Sequence, residues 1–220
     1  MFENPIILFI LFPVIAYVIG STPSGVIIAS ARGIDLRKSG SGNVGATNVG
    51  RVLGKGWGYL CFALDVAKGL LPVLAAGIIL KPDQGHPEIF KQAAWLLVGC
   101  GAILGHVFSF WLGFRGGKGV ATALGVVVGI YPYFTYAGLI AFGGWIVITL
   151  ISRYVSLGSI VAAILFVPLI FVLNHPASSI WPMIIFASAM SALIIVRHRT
   201  NILRLLAGTE NKIGSKKQVS

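Results

Sequence analysis

The hydrophobic positions of this chain fall into long runs separated by short polar segments. A helix that crosses the hydrocarbon core of a membrane needs roughly 17–25 mostly apolar residues. The runs therefore predict an all-α integral membrane protein with about seven transmembrane helices, at residues 6–30, 57–80, 92–112, 119–131, 133–151, 155–173 and 179–196. The fourth run is short for a span, so we expect it to be tilted, shielded by its neighbours or partly re-entrant.

The composition supports a membrane protein, since 56% of the residues are hydrophobic and only 10% are charged. Soluble domains carry a far larger charged fraction. We find no linker, low-complexity segment or internal repeat, so residues 1–220 are interpreted as a single transmembrane domain. The pairs Gly101/Gly105 and Gly125/Gly129 have the four-residue spacing that lets membrane helices approach closely.

The distribution of basic residues predicts the orientation of the chain. Lys81 and Lys91 fall on one face of the predicted topology, Lys68 lies inside the second span, and the other fourteen of the 17 basic residues fall on the opposite face. By the positive-inside rule the N-terminus is outside and the C-terminus is cytoplasmic. The net charge of +11 therefore indicates orientation and attraction to anionic lipid rather than a nucleic-acid partner. The predicted cytoplasmic cations are Arg32, Arg37, Lys38, Arg51, Lys55, Arg115, Lys118, Arg153, Arg197, Arg199, Arg204, Lys212, Lys216 and Lys217.

The first cytoplasmic segment, residues 38–51, is rich in glycine, hydroxyl and amide side chains and ends on an arginine. Glycines permit turns that point successive backbone N–H groups into one concavity, which suits a phosphate. Part of it fits G-x-G-x-x-G, but no preceding strand supports a dinucleotide fold. The alternative is a flexible loop. The candidate anion-binding residues are Ser39, Gly40, Ser41, Gly42, Asn43, Gly45, Thr47, Asn48 and Arg51.

The second segment places a glycine-flanked lysine, Lys118, where the fourth predicted helix begins. A free ammonium beside exposed helix N-terminal amides would form another anion site. It is not a nucleotide-binding P-loop, because position 112 is Leu where that motif needs Gly. Ordinary inner-leaflet cations and a packed helix-end histidine are the alternatives. The candidates here are His106, Gly116, Gly117, Lys118, Gly119 and Thr122.

The third segment follows the last predicted span. His198, Asn201 and Leu205 share one helical face, so their side chains are expected to point back toward the bundle. Arg204 and Glu210 are expected to pair and dock the tail. A basic tail that binds anionic lipid is the alternative interpretation.

Three further polar residues lie in or beside the spans. Ser156, at the start of the sixth predicted helix, is a candidate for the same cytoplasmic mouth, although serine in membrane helices usually serves packing. Asp65 and Lys68 lie three residues apart inside the second span, so we expect them to pair or to face a wet cavity.

Two anion-binding segments on one membrane face favour a transfer reaction over simple binding. The sequence lacks metal-ligand spacing and the common acyltransferase and hydrolase motifs. We therefore expect no metal and no cofactor, and a reaction that works by electrostatics and positioning on an already activated substrate.

Three ordered motifs carry a family resemblance: SGSGNVGATNVGR at 39–51, GHVFSFWLGFRGGKGVAT at 105–122 and HRTNILRLLAGTE at 198–210. They resemble the acyl-phosphate-dependent glycerol-3-phosphate acyltransferase family of PlsY type. The resemblance implies a seven-helix enzyme of the bacterial inner membrane with its active site facing the cytoplasm. Such an enzyme transfers a fatty acyl group from acyl-phosphate in the membrane to the sn-1 hydroxyl of cytosolic glycerol-3-phosphate, giving lysophosphatidic acid and inorganic phosphate.

With this resemblance, the polar residues receive expected roles. The catalytic candidates are Ser41, Arg51, Lys118, His198 and Asn201; the other candidates, together with Ser156, Arg204 and Glu210, bind substrate. The base stays open between His106, His198 and the substrate's own phosphate. We expect a monomer. The competing interpretations are a transporter of a phosphorylated solute and a non-catalytic membrane subunit.

Overall fold

The structure is a computed structural model that describes residues 4–80, 89–174 and 180–214, and these residues form helices and connecting turns without a strand. Lys81, Lys216 and Lys217, which contribute to the charge pattern, lie outside the described residues. Short helical turns occur at Ile7–Leu11, Leu36–Lys38 and Phe110–Leu112. The α-helices are α1 (Phe12–Ser21), α2 (Ser24–Ser30), α3 (Ala46–Leu53), α4 (Lys55–Leu80), α5 (Ile89–Val107), α6 (Val120–Gly129), α7 (Thr135–Ser152), α8 (Val155–Asn174), α9 (Ile180–Arg197) and α10 (Arg199–Leu206).

Six helical stretches of the described chain are long and apolar enough to cross a membrane, and they coincide with six of the seven predicted spans. The fourth predicted span corresponds to α6, whose 10 residues have a length of about 15 Å. That is half the thickness of a hydrocarbon core of about 30 Å. The structure therefore contains six full-length candidate spans and one half-length apolar helix, which packs along α4. The six are Ile7–Ser30, Lys55–Leu80, Ile89–Leu112, Thr135–Ser152, Val155–Asn174 and Ile180–Arg197.

The first predicted span is interrupted at Thr22 and Pro23, which separate α1 from α2. Proline disfavours helical conformation in the residue before it, and Thr22 has ψ of 118°. The Thr22 carbonyl at this break accepts from the Ser24 N–H at 3.0 Å, and neighbouring side chains supply further donors. Lys68 Nζ donates to the Thr22 carbonyl at 2.8 Å, and Ser109 Oγ donates to the Ser21 carbonyl at 2.6 Å. Neighbouring helices thus satisfy the broken backbone, as a membrane interior requires.

The predicted pairing of Asp65 and Lys68 is confirmed. The two side chains lie one turn apart on α4, with Lys68 Nζ 2.8 Å from Asp65 Oδ1. Both are buried, so protein rather than lipid surrounds the pair. This arrangement avoids the cost of an isolated charge at that depth.

The predicted close approach of helices at the spaced glycines is also confirmed. A Cβ at Gly101 or Gly105 would overlap backbone carbonyl oxygens of α1, and one at Gly125 would overlap the backbone of α4. A Cβ at Gly129 would lie 2.8 Å from Cγ1 of Val73. The contacts α1–α5 and α4–α6 therefore depend on the missing side chains.

Residues 38–51, whose composition suggests one polar loop, are irregular only as far as Gly45. Residues 46–53 form α3, whose buried Val49 packs beside the buried Cys61 of α4. The apolar positions Ala46, Val49 and Leu53 have helical spacing, so the sequence of this segment does contain a helical pattern among its glycine and polar residues. As a result, Arg51 lies in the last turn of a helix.

Helix α10 and the segment after it return toward the bundle. His198 and Asn201 are buried, which confirms the predicted inward face. The backbone N–H of Ile213 donates to the Arg153 carbonyl at 2.8 Å, and Arg153 Nη2 donates to the Ile213 carbonyl at 3.0 Å. These bonds dock the tail on the turn between α7 and α8 and bring Glu210 to the start of α8.

We predict that Gly125→Ala lowers the free energy of unfolding by about 1–3 kcal/mol, because the added methyl meets the rigid Val66 carbonyl of α4 and forces the helices apart. The matched control is Gly143→Ala in α7, where a Cβ meets nothing within 4 Å. Thermal unfolding of both variants in the same detergent measures the difference. Equal melting temperatures would contradict the packing described here.

Candidate active site

The carboxylate of Glu210 lies at the centre of a polar cluster at one end of the bundle. Asn201 Nδ2 donates to Oε1 at 2.6 Å, and Ser156 Oγ donates to the same oxygen at 2.8 Å. Arg204 Nε donates to Oε2 at 2.8 Å, which confirms the predicted pair. The cluster therefore ties α8, α10 and the tail together.

The second and third motifs meet at Asn201. Its Nδ2 donates to Glu210, while its Oδ1 accepts a hydrogen bond from Lys118 Nζ. One amide thus connects the ammonium before α6 to the carboxylate after α10. Lys118, Asn201, Ser156, Arg204 and Glu210 were all candidates, and the structure brings them together.

Lys118 lies in a strongly cationic environment. Burial lowers the pKa of its ammonium to about 8; the Glu210 carboxylate opposes this shift, while Arg204, Arg197 and Arg51 add to it. A substantial fraction of Lys118 therefore loses its proton just above neutral pH. The same interactions show that Arg51, at the end of α3, belongs to this electrostatic cluster.

The charges around Glu210 do not balance. Partial burial lowers the pKa of Arg51, Glu210 opposes this and Arg204 adds to it, and the guanidinium still stays protonated. Burial alone would raise the pKa of Glu210, but hydrogen bonds from Arg204, Asn201 and Ser156 outweigh it and leave that pKa below its ordinary value. One ionised carboxylate therefore faces several cations, and the surplus positive charge suits a phosphate dianion.

His198 is buried beside this cluster. Burial lowers the pKa of its imidazole to about 4, although a hydrogen bond to the Ile194 carbonyl and the charge of Glu210 oppose the shift. The ring is therefore neutral at pH 7. Its Nδ1 lies 2.8 Å from the Ile194 oxygen, so Nδ1 carries the proton and Nε2 is left as an acceptor.

In the first motif, Asn48 shapes the loop. Its Oδ1 accepts from the backbone N–H of Ser41 at 2.8 Å. Its Nδ2 donates to the carbonyls of Leu36 at 3.3 Å, Ser39 at 3.0 Å and Asn43 at 2.8 Å. The buried amide is fully used by the loop backbone, so its contacts are those of a positioning residue and not of the phosphate ligand that we expected.

The glycines and Asn43 complete the same loop. Gly40 and Gly42 have φ of +62° and +72°, the left-handed region that favours glycine. Asn43 Oδ1 accepts from the Gly45 N–H at 2.8 Å and closes the turn that precedes α3. These residues fix the path of the backbone before Arg51.

Three first-motif side chains are exposed: Ser41 in the loop, and Thr47 and Arg51 on α3. Ser39 differs, since its hydroxyl donates to the Asp35 carbonyl at 2.9 Å and so serves the loop locally. Ser41, Thr47 and Arg51 are therefore the members of this motif that the geometry leaves accessible to a ligand.

Two glycine amides of the second motif are bonded within the protein. The N–H groups of Gly116 and Gly117 donate to the carbonyls of Val107 at 3.0 Å and His106 at 3.1 Å, because the last carbonyls of α5 need partners. These two candidate residues therefore use their amides to hold the chain reversal before α6. Arg197 Nη2 donates to the carbonyls of Gly116 at 3.1 Å and Gly117 at 3.3 Å, a positioning role that the sequence analysis missed.

The remaining second-motif candidates are packing residues in this structure. Gly119 begins α6 with φ of +85°. Thr122 is fully buried where α6 crosses α4, and a Cβ at Gly69 would overlap its carbonyl oxygen. His106 is also buried, with Nδ1 3.7 Å from Asp65 Oδ1. The contacts of Thr122 and His106 are thus with the bundle rather than with Glu210 or Lys118.

An apolar cleft lies beside the polar cluster. Val120 lines it two residues after Lys118, and Ile194, whose carbonyl bonds His198, lines it from α9. Further lining comes from Phe142, Trp145, Phe166 and Met190. The arrangement can hold a polar phosphate end at the cations while an apolar chain lies in the cleft.

Metal ligands do not gather in this cluster. Within residues 4–80, 89–174 and 180–214, no group of three or more His, Cys, Asp and Glu side chains could hold a metal ion.

Comparison with known proteins gives consistent matches. The family model described as glycerol-3-phosphate acyltransferase matches residues 10–208. The glycerol-3-phosphate acyltransferase of Aquifex aeolicus is 45% identical over 90% of this chain and 96% of its own length. That of Geotalea daltonii is 46% identical over 89% of this chain and 93% of its own.

Solved structures of PlsY, an integral membrane glycerol-3-phosphate acyltransferase, share the fold. Its glycerol 3-phosphate form superposes with a TM-score of 0.81 at 43% identity, covering 93% of this chain and 94% of that one. Its lysophosphatidic acid form gives 0.79 at 44% identity, covering 93% and 95%. These matches do not favour a transporter. The chain is a multi-pass membrane acyltransferase and belongs to the glycerol-3-phosphate acyltransferase family.

Proposed function

We propose that this protein transfers a fatty acyl group from acyl-phosphate to the sn-1 hydroxyl of glycerol-3-phosphate, producing lysophosphatidic acid and inorganic phosphate. The observation that carries the proposal is the junction of the cation-rich Glu210 cluster with the apolar cleft. A phosphorylated lipid precursor needs both environments at once. The relatives' activity on glycerol-3-phosphate supports the acceptor.

The cations bind the phosphate groups. Arg51 is exposed and presents a planar guanidinium that can grip phosphate through two parallel hydrogen bonds. Lys118 contributes a point charge near the mouth of the cleft. Ser41 adds a hydroxyl donor from the loop, and Thr47 adds one from α3. Glu210 holds the cations together without cancelling their surplus charge.

The apolar cleft holds the acyl chain of the donor. Each buried methylene is worth about 0.8 kcal/mol, so a long-chain acyl-phosphate partitions into the bilayer and reaches the site from there. Glycerol-3-phosphate carries no such chain and arrives from water. The two substrates therefore meet where Val120 and Ile194 adjoin Lys118 and His198.

In the reaction, the sn-1 hydroxyl oxygen attacks the acyl carbonyl carbon and the bond from that carbon to the phosphate oxygen breaks. Phosphate leaves with the bonding electrons, and Lys118 stabilises the charge that develops. His198 and Asn201 orient the glycerol-3-phosphate acceptor. With a pKa of about 4, His198 is a weak base, whereas a phosphate monoester has a second pKa of about 6. We therefore assign the proton to the substrate's own phosphate.

The protein works as a monomeric single domain of the bacterial inner membrane, with its N-terminus outside and its active site and C-terminus in the cytoplasm. The concentration of cations in the segments that meet at Glu210 supports this orientation through the positive-inside rule. A cytoplasmic site is also where glycerol-3-phosphate would be available.

We predict that the purified protein in detergent makes lysophosphatidic acid from acyl-phosphate and glycerol-3-phosphate in excess chelator, and that acyl-CoA is a poor donor. The reason is that the site supplies cations from its own side chains, and these cations stabilise a leaving group that departs as phosphate. Product quantification with each donor, with and without EDTA, tests this. Strict dependence on a divalent ion, or equal turnover of acyl-CoA, would refute the proposed donor; no product at all would favour transport or a non-catalytic subunit.

We predict that kcat/KM falls as the pH rises through about 8, because Lys118 acts as its ammonium and its lowered pKa lets it lose the proton there. Glu210 favours the charged form of Lys118, so Glu210→Gln should move this alkaline limb to lower pH. Lys118→Arg, which stays protonated, should remove the limb. Rate profiles from pH 6 to 9 check all three, and an identical limb in the Lys118→Arg variant would rule out Lys118 as its origin.

We predict that Arg51→Ala and Lys118→Ala each lower kcat/KM about 10- to 100-fold, since a charge-assisted hydrogen bond to phosphate is worth roughly 1.5–3 kcal/mol. Arg51→Lys should recover only part of the activity, because it keeps the charge but loses the bidentate fork.

Matched controls for these two cations are Lys55→Ala and Arg115→Ala, which remove exposed cations close in sequence to Arg51 and Lys118. Both should keep nearly full activity. Equal losses in controls and test variants, with all of them folded, would mean that Arg51 and Lys118 act only as inner-leaflet charges.

A further inference from the structure

A second buried polar cluster lies among α1, α4 and α5, and the proposed chemistry does not use it. Asp65 Oδ1 is 2.8 Å from Lys68 Nζ and 3.7 Å from His106 Nδ1. All three residues are buried. They border a small recess, to which Ser21 and Gly117 also contribute.

Stability alone is a weak reason for such a pair. Removing two charges from water costs free energy that their attraction only partly returns, and replacing buried pairs with apolar residues is often neutral or stabilising. Here each member of the ion pair also contacts a specific residue on another segment of the chain. Lys68 holds the Thr22 carbonyl at the end of α1, and Asp65 faces His106. These contacts point to a positioning role.

The contacts of His106 lead directly to the active-site segment. Its ring packs against Gly117 so closely that a Cβ there would overlap Nε2. Its carbonyl also accepts from the Gly117 N–H at 3.1 Å. Gly117 therefore touches both the side chain and the backbone of His106, and the next residue is Lys118.

We propose that Asp65, Lys68 and His106 are positioning residues for the acyl transfer: the ion pair fixes the His106 ring, and the ring fixes Gly117 and hence the ammonium of Lys118. The cluster also holds the end of α1 at Thr22, so the broken first span and the Gly116–Lys118 segment are held by one network. This inference depends on the proposed role of Lys118 in the reaction.

The first test replaces the ion pair with apolar residues of similar size, Asp65→Leu with Lys68→Met. This double variant should fold, because it leaves no unpaired buried charge. It should lose about ten- to a hundredfold in kcat, the scale on which small displacements of catalytic groups act, while KM for glycerol-3-phosphate changes little. A folded double variant with wild-type kcat would overturn the proposal.

The second test is His106→Phe, which keeps a ring against Gly117, leaves the ion pair intact and removes the contact with Asp65. It should lower kcat in the wild-type background. Combined with Lys118→Ala, it should add less than about a twofold loss, because residues that act through one another are not additive. Full additivity would mean that His106 acts independently of Lys118 and would overturn the proposal.

Trp95→Phe is the control for an ordinary buried contact. It removes the hydrogen bond from Trp95 Nε1 to the Val73 carbonyl at 2.8 Å, also between α5 and α4. It should lower the melting temperature without lowering kcat. Failure of both cluster variants to fold would reduce the cluster to a requirement of stability and would also overturn the proposal.

Lys118→Ala alone separates the two hypotheses. If it has wild-type activity, the proposed role of Lys118 fails. If it is impaired while the folded cluster variants are fully active, only the positioning proposal fails.

Discussion

Donors from α8 and α10 converge on the carboxylate of Glu210, and the arrangement of the cations around it follows from that convergence. Arg51, Lys118 and Arg204 would repel one another without an anion between them. Glu210 is ionised, and Asn201 connects it to Lys118. Because one carboxylate does not neutralise all of these cations, the site keeps a net attraction for phosphate. Glu210 thus holds the side chains of the site together, and the site keeps a net positive charge.

The bilayer imposes a second constraint, that polar groups within the bundle need partners from the protein. The break at Thr22 and Pro23 leaves carbonyls that Lys68 and Ser109 satisfy. Lys68 in turn pairs with Asp65, which also faces His106. The charged network that bonds the broken backbone of the first span therefore lies next to the segment that carries Lys118. Arg197 bonds the carbonyls of that segment as well, so Lys118 extends from a backbone that is held by side chains of both α5 and α9.

The elements that the sequence predicted well depend on local information. Six spans follow from apolar length, and the Arg204–Glu210 pair follows from short separation. What could not be predicted depends on distant contacts. Lys118 and Asn201 are 83 residues apart and Ser156 and Glu210 are 54 apart, so composition does not show that they meet.

Residue type also misled at several positions. Asn48, Thr122 and the glycine amides suit phosphate chemically, yet the fold uses them for its own loop, helix crossing and chain reversal. Helix α3 was missed because its glycines and amides concealed an apolar face. The most direct test of the account is a crystal structure of this protein with glycerol-3-phosphate bound. We expect phosphate oxygens about 2.7–2.9 Å from the Arg51 guanidinium and the Lys118 ammonium, with the glycerol carbons toward His198. A phosphate bound away from both cations would contradict it.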